Sequence, residues 1–99
     1  MSKEIKKRTK VGMVAENSFG IMRKENKVEM EFIVRLPSDD NYGSFEFYDT
    51  ETGGDQWYAE GGLWFDEDKN LTDYDGVFAL SYLLIEMLEQ NGYNADYAK

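Results

Sequence analysis

The sequence predicts an α+β fold, an antiparallel β-meander of about four strands with one C-terminal α-helix packed on the sheet. Three observations carry this. Val28, Met30, Phe32, Val34 and Leu36 alternate with Glu29, Glu31, Ile33 and Arg35, and a period of two with one apolar face is the mark of a half-buried antiparallel strand. Between Ser81 and Gly92, Leu83, Leu84, Met87 and Leu88 line one side while Tyr82, Glu86, Glu89 and Gln90 line the other, the spacing of an amphipathic helix. Turn-forming residues then cluster at 37–43, 52–55 and 66–76, dividing the chain into short segments.

Taken in order, residues 1–10 (MSKEIKKRTK) are basic and carry little to bury, so they are expected to form a flexible basic arm ahead of a single domain over 11–99. Val11, Met13, Phe19 and Ile21 alternate with smaller residues, which suggests two short strands around Glu16-Asn17-Ser18. Glu25-Asn26-Lys27 is expected to be a tight turn that leads into the strand at 28–36. Ser44–Tyr48 predicts the next strand, with Phe45 and Phe47 on one side and Glu46 opposite. Gln56–Phe65 predicts another, bent or bulged at Gly61-Gly62. An acidic loop is expected from Asp66 to Gly76. Ser81 is a suitable N-cap and Gly92 a suitable C′ residue for the helix, with Phe78 and Leu80 pinning its entry. Leu63, Phe65, Leu71, Val77 and Phe78 are expected in the core.

Charge bounds the function. The 99 residues hold 20 Asp and Glu against 11 Lys and Arg, a net charge of −9. Residues 1–35 hold nine cations against five acids, and residues 36–99 hold two against fifteen. Such a field repels nucleic acid and anionic membrane and attracts basic surfaces. The expected partner is therefore a basic or nucleic-acid-binding protein, with no direct nucleic-acid contact and no membrane.

With no Cys and no His, the best thiol nucleophile and the usual general base are both missing. No phosphate-cradling or nucleophile-elbow motif takes their place. The chain is expected to be no enzyme, with no catalytic residue, cofactor or metal. Asp66, Asp68 and Asn70 match three positions of a calcium loop, but Leu71 and Val77 stand where Gly and Glu are required. The lack of Cys and of a long apolar run places the chain in the cytoplasm.

Two kinds of binding site remain. Glu29 and Glu31 sit two apart on one strand, so their carboxylates are about 6.6–6.8 Å apart, like a short row of phosphates. Glu46 on the next strand and Asp39, Asp40, Asp49, Glu51 and Asp55 in turns extend that acidic face. A scaffold of this kind occupies a basic groove as an inhibitor or nucleic-acid mimic. The alternative is an aromatic interface of Trp57, Tyr58, Trp64 and Tyr74, which would serve protein association or homodimerisation through a sheet edge. In that case the acids serve solubility alone.

The stretch Glu60-Gly61-Gly62-Leu63-Trp64-Phe65, then Leu71-Thr72-Asp73-Tyr74-Asp75-Gly76-Val77-Phe78 and a helix ending Asn91-Gly92-Tyr93, resembles a pattern in small phage- and plasmid-borne proteins. In size, acidity and lack of Cys the chain is similar in general character to phage anti-defence proteins, anti-CRISPR proteins among them. That resemblance implies the inhibitor function over the alternative and assigns no site residue.

Overall fold

The structure, a computed structural model, describes residues 3–16, 23–38 and 40–99. Five strands form one antiparallel sheet in sequence order: β1 (Lys3–Glu16), β2 (Arg23–Leu36), β3 (Tyr42–Asp49), β4 (Tyr58–Phe65) and β5 (Leu71–Tyr74). The helix α1 (Tyr82–Gln90) follows, and a 3₁₀ turn over Asp96–Ala98 ends the chain. The α+β class and the meander agree with the sequence, but the strand count is five. No helix is long and apolar enough to cross a membrane among the described residues.

β1 carries the short strand expected at Val11 and Met13 back through residues expected to be a flexible arm, and β5 is a strand where a loop was expected. β1 pairs with β2 along its whole length, from Lys3 opposite Leu36 to Glu16 opposite Arg23. Its basic side chains hide an alternation in which Ile5, Thr9 and Val11 take one face and Lys6, Arg8 and Lys10 the other. The expected turn at Glu25-Asn26-Lys27 does not exist, since these residues continue β2 and pair with Val14, Met13 and Gly12. The strand expected around Phe19 and Ile21 lies outside the described residues. β3 pairs with β2 only from Met30 to Arg35, so the far halves of β1 and β2 project as a two-stranded ribbon. Fourteen extended residues at about 3.3 Å each span about 46 Å, which is the longest dimension of the molecule, 46 Å.

The sheet has two unlike faces. One holds Met30, Phe32, Val34 and Leu36 of β2, Phe45 of β3 and Leu63 and Phe65 of β4, all buried. Leu83, Leu84, Met87 and Leu88 of α1 close over it, joined by Leu71, Leu80 and Ala95. The helix begins as the sequence predicts, with the Ser81 hydroxyl accepting from the Leu83 N–H at 3.3 Å. It ends at Gly92, whose positive φ of 86° turns the chain so that the Tyr93 N–H reaches back to the Leu88 carbonyl at 3.1 Å. The other face carries no described element and is called the open face below.

Three local expectations are corrected. Gly61 and Gly62 pair regularly with Phe45 and Ser44, and the register shift falls at Trp64/Phe65 instead. The glycines serve close approach: a Cβ on Gly61 would strike the Asp75 carbonyl, and one on Gly76 (φ 89°) the Glu60 carbonyl. The loop at 66–76 is shorter than expected, because Leu71–Tyr74 forms β5. Phe78 is fully exposed and packs on nothing; Leu80, six per cent exposed, holds the helix entry alone.

These assignments separate by mutation. Leu84→Ala, at a completely buried position, is expected to cost about 2–5 kcal/mol in denaturant unfolding. Phe78→Ala is expected to change stability by no more than about 0.5 kcal/mol. A cost at Phe78 equal to that at Leu84 would place the phenylalanine back in the core.

Candidate functional site

Pairing register decides which sequence-predicted residues meet. Alternate residues of a strand share a face, so Glu29, Glu31 and Arg35 of β2, Tyr42, Ser44, Glu46 and Tyr48 of β3, and Tyr58, Glu60, Gly62 and Trp64 of β4 all lie on the open face. Three members of the acidic set, Glu29, Glu31 and Glu46, and half of the aromatic set, Tyr58 and Trp64, therefore share one surface. Trp57 and Tyr74 fall on the opposite face, partly buried against the core cluster. The Trp57 indole N–H is itself buried without a hydrogen-bond partner among the described residues.

The acidic row at β2 is already matched by cations and hydroxyls. Glu29 accepts a 3.0 Å bond from the Thr50 hydroxyl and lies 4.0 Å from Arg8. Glu31, whose side chain is only 14% exposed, lies 3.6 Å from Arg8 and accepts a hydrogen bond from the Tyr48 hydroxyl. That bond is the main cause holding the Glu31 carboxyl below its ordinary range and raising the Tyr48 phenol. Glu46 meets Arg35 at 2.9 Å, and Arg35 also reaches Glu4 at 3.1 Å. The Glu46 bond is the leading reason the Arg35 guanidinium holds its proton more tightly than usual.

Asp49 leaves the candidate list. It is 1% exposed and faces the helix side, where its carboxylate collects the Thr52 hydroxyl and three backbone N–H groups: Thr52 at 2.7 Å, Trp57 at 2.8 Å and Gln56 at 3.3 Å. It is the clamp of the β3–β4 turn. The Thr52 hydroxyl first, then these amides against the cost of burial, bring its pKa from 3.8 to about 2. Glu51 and Asp55 stand exposed in that turn. Asp40 is exposed in the β2–β3 loop, accepting from the Tyr42 N–H at 3.2 Å, and Asp39 lies outside the described residues. Asp66, at the start of the calcium-like loop, bonds the N–H groups of Asp68 and Asn70, both at 2.9 Å. Among the described residues no group of three or more acidic side chains is placed to hold a metal ion.

The rest of the open face lies over β3 and β4. Register sets three rows there: Tyr42 opposite Trp64, Ser44 opposite Gly62, and Glu46 opposite Glu60. The small Ser44–Gly62 pair leaves a recess of about 380 Å³ between an aromatic row and an acidic one, with Arg35 at one end and Asp75 at the other. Tyr42 and Trp64 meet edge to face at 5.3 Å between centroids and lean over the glycine. A Cβ on Gly62 would come within 2.9 Å of the Trp64 ring and 3.0 Å of the Tyr42 ring. Asp75 accepts from the Gly62 N–H at 2.6 Å. Three carboxylates against one guanidinium line this recess, so its field favours a cation. Beside it the exposed Tyr58 donates to Glu60, which with desolvation and negative neighbours pushes its phenol up to about 12.

From this surface the sequence singles out Glu46, Tyr58 and Trp64 but not Glu60 or Asp75. The missing signal was the small–small pair Ser44–Gly62, which becomes visible only once β3 and β4 are set in register. No protein-family model, curated protein or solved structure matches this chain.

The Asp49 clamp has a testable pH signature. A carboxyl whose pKa falls on folding contributes stability above its unfolded pKa, and that contribution is lost as pH falls through the folded value. Asp49→Asn is therefore expected to lower the melting temperature at neutral pH. The gap to the unmodified protein should narrow as pH drops from about 3.8 toward about 2. A gap that stays constant over that window would remove the charge of Asp49 from the account.

Proposed function

We propose that this chain is a non-enzymatic binding protein that lays its open sheet face on a basic protein surface of the kind nucleic-acid-binding proteins present. The observation that carries this is the juxtaposition over β3 and β4 of an exposed aromatic pair, Tyr42–Trp64, with Glu46, Glu60 and Asp75 across a recess. Aromatic anchors flanked by charge give an interface both contact area and selectivity. Cations are also drawn to the faces of Trp and Tyr rings, so an Arg or Lys side chain of the partner suits the recess. The acidic and aromatic alternatives of the sequence thus become one site.

This reading moves the docking charge away from Glu29 and Glu31, whose carboxylates already accept from the Thr50 and Tyr48 hydroxyls. An inhibitor that presents a phosphate-like row along β2 would first have to displace those partners. The surplus charge of the chain lies instead in residues 36–99, which hold fifteen acids against two cations. The general likeness to acidic anti-defence proteins supports a partner from the nucleic-acid-binding class.

The test is titration of the protein with an arginine-rich peptide, read by NMR shifts of the Gly61 and Gly62 backbone amides that line the recess. Binding is expected to weaken steeply with salt. Trp64→Ala and Glu60→Lys should each lower affinity on the order of tenfold or more, while Glu29→Lys changes it little. If Glu29→Lys and Glu31→Lys do the damage and Glu60→Lys does none, the docking row runs along β2 and the recess is not the site.

A further inference from the structure

We infer that the free edge of β1 is a docking strand for an acidic, extended segment of another protein, a surface separate from the recess and opposite to it in charge. The inference starts from backbone direction. The Thr50 N–H donates to the Glu29 carbonyl at 3.0 Å, so the backbone groups of Glu29 point toward β3. In an antiparallel strand both polar groups of a residue point to the same side, and the side alternates along the chain. Met30, Phe32 and Val34 therefore bond toward β1, where their register partners are Thr9, Lys7 and Ile5. The N–H and C=O groups of Glu4, Lys6, Arg8 and Lys10 consequently face outward, and β1 is the last strand of the sheet on that side.

The two sheet edges differ. The β5 edge is four residues long and is shielded, because the Leu71 N–H donates to the Asn94 carbonyl at 2.8 Å, Asn70 forms a bridge with Asn94, and Tyr97 stands edge to face against Tyr74 at 6.0 Å. No described element lies along the fourteen residues of β1. An uncovered edge is a template for another strand.

Charge selects which strand. Residues 3–10 hold five cations and one acid. A second copy pairing antiparallel about Lys7 would set Lys6 against Arg8, and pairing about Arg8 would set Lys6 against Lys10; like charges directly opposite one another are destabilising. The shielded β5 edge closes off head-to-tail pairing with the acidic half of another copy. An acidic strand meets neither obstacle. Its side chains would alternate: those on the open-face side would stand beside the exposed Lys6, Arg8 and Lys10, and those on the helix side beside the half-buried Ile5, Lys7, Thr9 and Val11. The fitting segment therefore carries carboxylates at every second position with apolar or β-branched residues between them. The existing contacts of Arg8 and Lys6 do not remove this attraction. Both side chains are more than half exposed, and their carboxylate contacts run from 3.4 to 4.0 Å, the regime in which a surface ion pair contributes little.

The experiment is amide hydrogen exchange on the full chain with an alternating valine–glutamate heptapeptide as probe and an alternating valine–lysine heptapeptide beside it. The acidic peptide is expected to slow exchange on the order of tenfold or more at the outward amides of Lys6, Arg8 and Lys10. The amides of Lys7, Thr9 and Val11, already bonded to β2, should hardly change. Lys6→Pro with Lys10→Pro removes two outward donors together with two exposed cations, leaves the bonds to β2 in place, and should abolish the effect while the amide spectrum stays dispersed. Should that variant unfold, Lys6→Glu with Lys10→Glu serves instead, and the preference should pass to the lysine peptide. Equal protection by both peptides, or protection confined to another strand, would overturn the inference. So would a dimer in sedimentation that the proline variant dissolves, since it would make a second copy the occupant.

Discussion

The two-sidedness of β2 is the constraint on which the rest of the molecule depends. This strand bonds to β1 on one side and β3 on the other, and it contributes Met30, Phe32, Val34 and Leu36 to the surface that α1 covers. A shift of one residue in its register would exchange these four for Glu29, Glu31, Ile33 and Arg35. Burying two unpaired carboxylates and a guanidinium under the helix costs several kcal/mol for each ion. The apolar side therefore fixes the register, and the register in turn fixes which charges stand together on the open face. Ile33 fits the same logic, buried on the open face between its cross-strand neighbours Lys6 and Glu46. Long polar side chains can cover an apolar one while their charged ends stay in water.

Loops then hold what the sheet positions. The Asp49 clamp closes the β3–β4 turn from within and sets where β4 begins. The backbone contact between Gly76 and Glu60 draws the end of β5 across β4, and the Asp75 carboxylate is thereby delivered to Gly62 at the rim of the recess. The glycines serve the open face indirectly, since a side chain at Gly61 or Gly76 would drive Asp75 outward and at Gly62 would displace Tyr42 and Trp64. A site made from an aromatic row and an acidic row thus rests on residues that carry no chemistry themselves.

Much of this was legible in the sequence, and the misses have identifiable causes. The helix was legible because both ends carry cap chemistry and its apolar stripe has one period. The core side of β2 was legible for the same reason. The first half of β1 was not, because over residues 3–11 Lys3, Lys6, Lys7, Arg8 and Lys10 mask an alternation whose apolar members there are only Ile5 and Val11, and an edge strand buries too little to need more. The false turn at 25–27 arose from turn-prone residues inside a ribbon whose far half lacks a third strand. Phe78 was misplaced because hydrophobicity next to a helix start usually means core, whereas here Leu80 alone meets that need. At the site, counting acids could not distinguish a buried clamp such as Asp49 from a solvent-exposed carboxylate such as Glu60. That distinction belongs to strand parity and register, which join residues far apart in the chain.

The charge asymmetry of the sequence acquires a spatial meaning from the topology. A meander lays its strands side by side in chain order, so a chain that is basic at its start and acidic afterwards becomes a sheet with a basic edge that grows acidic toward β4 and β5. Opposite charges at the two sides of one molecule would normally invite copies to join head to tail. Here the acidic side offers no free ladder, because the segment around Asn94 and Tyr97 occupies it, while the basic side repels its own image. The two edges therefore differ in what they offer a second copy, satisfied hydrogen bonds at one and like charge at the other. The two proposed docking surfaces follow the same gradient, with a basic partner proposed over β3 and β4 and an acidic strand proposed along β1.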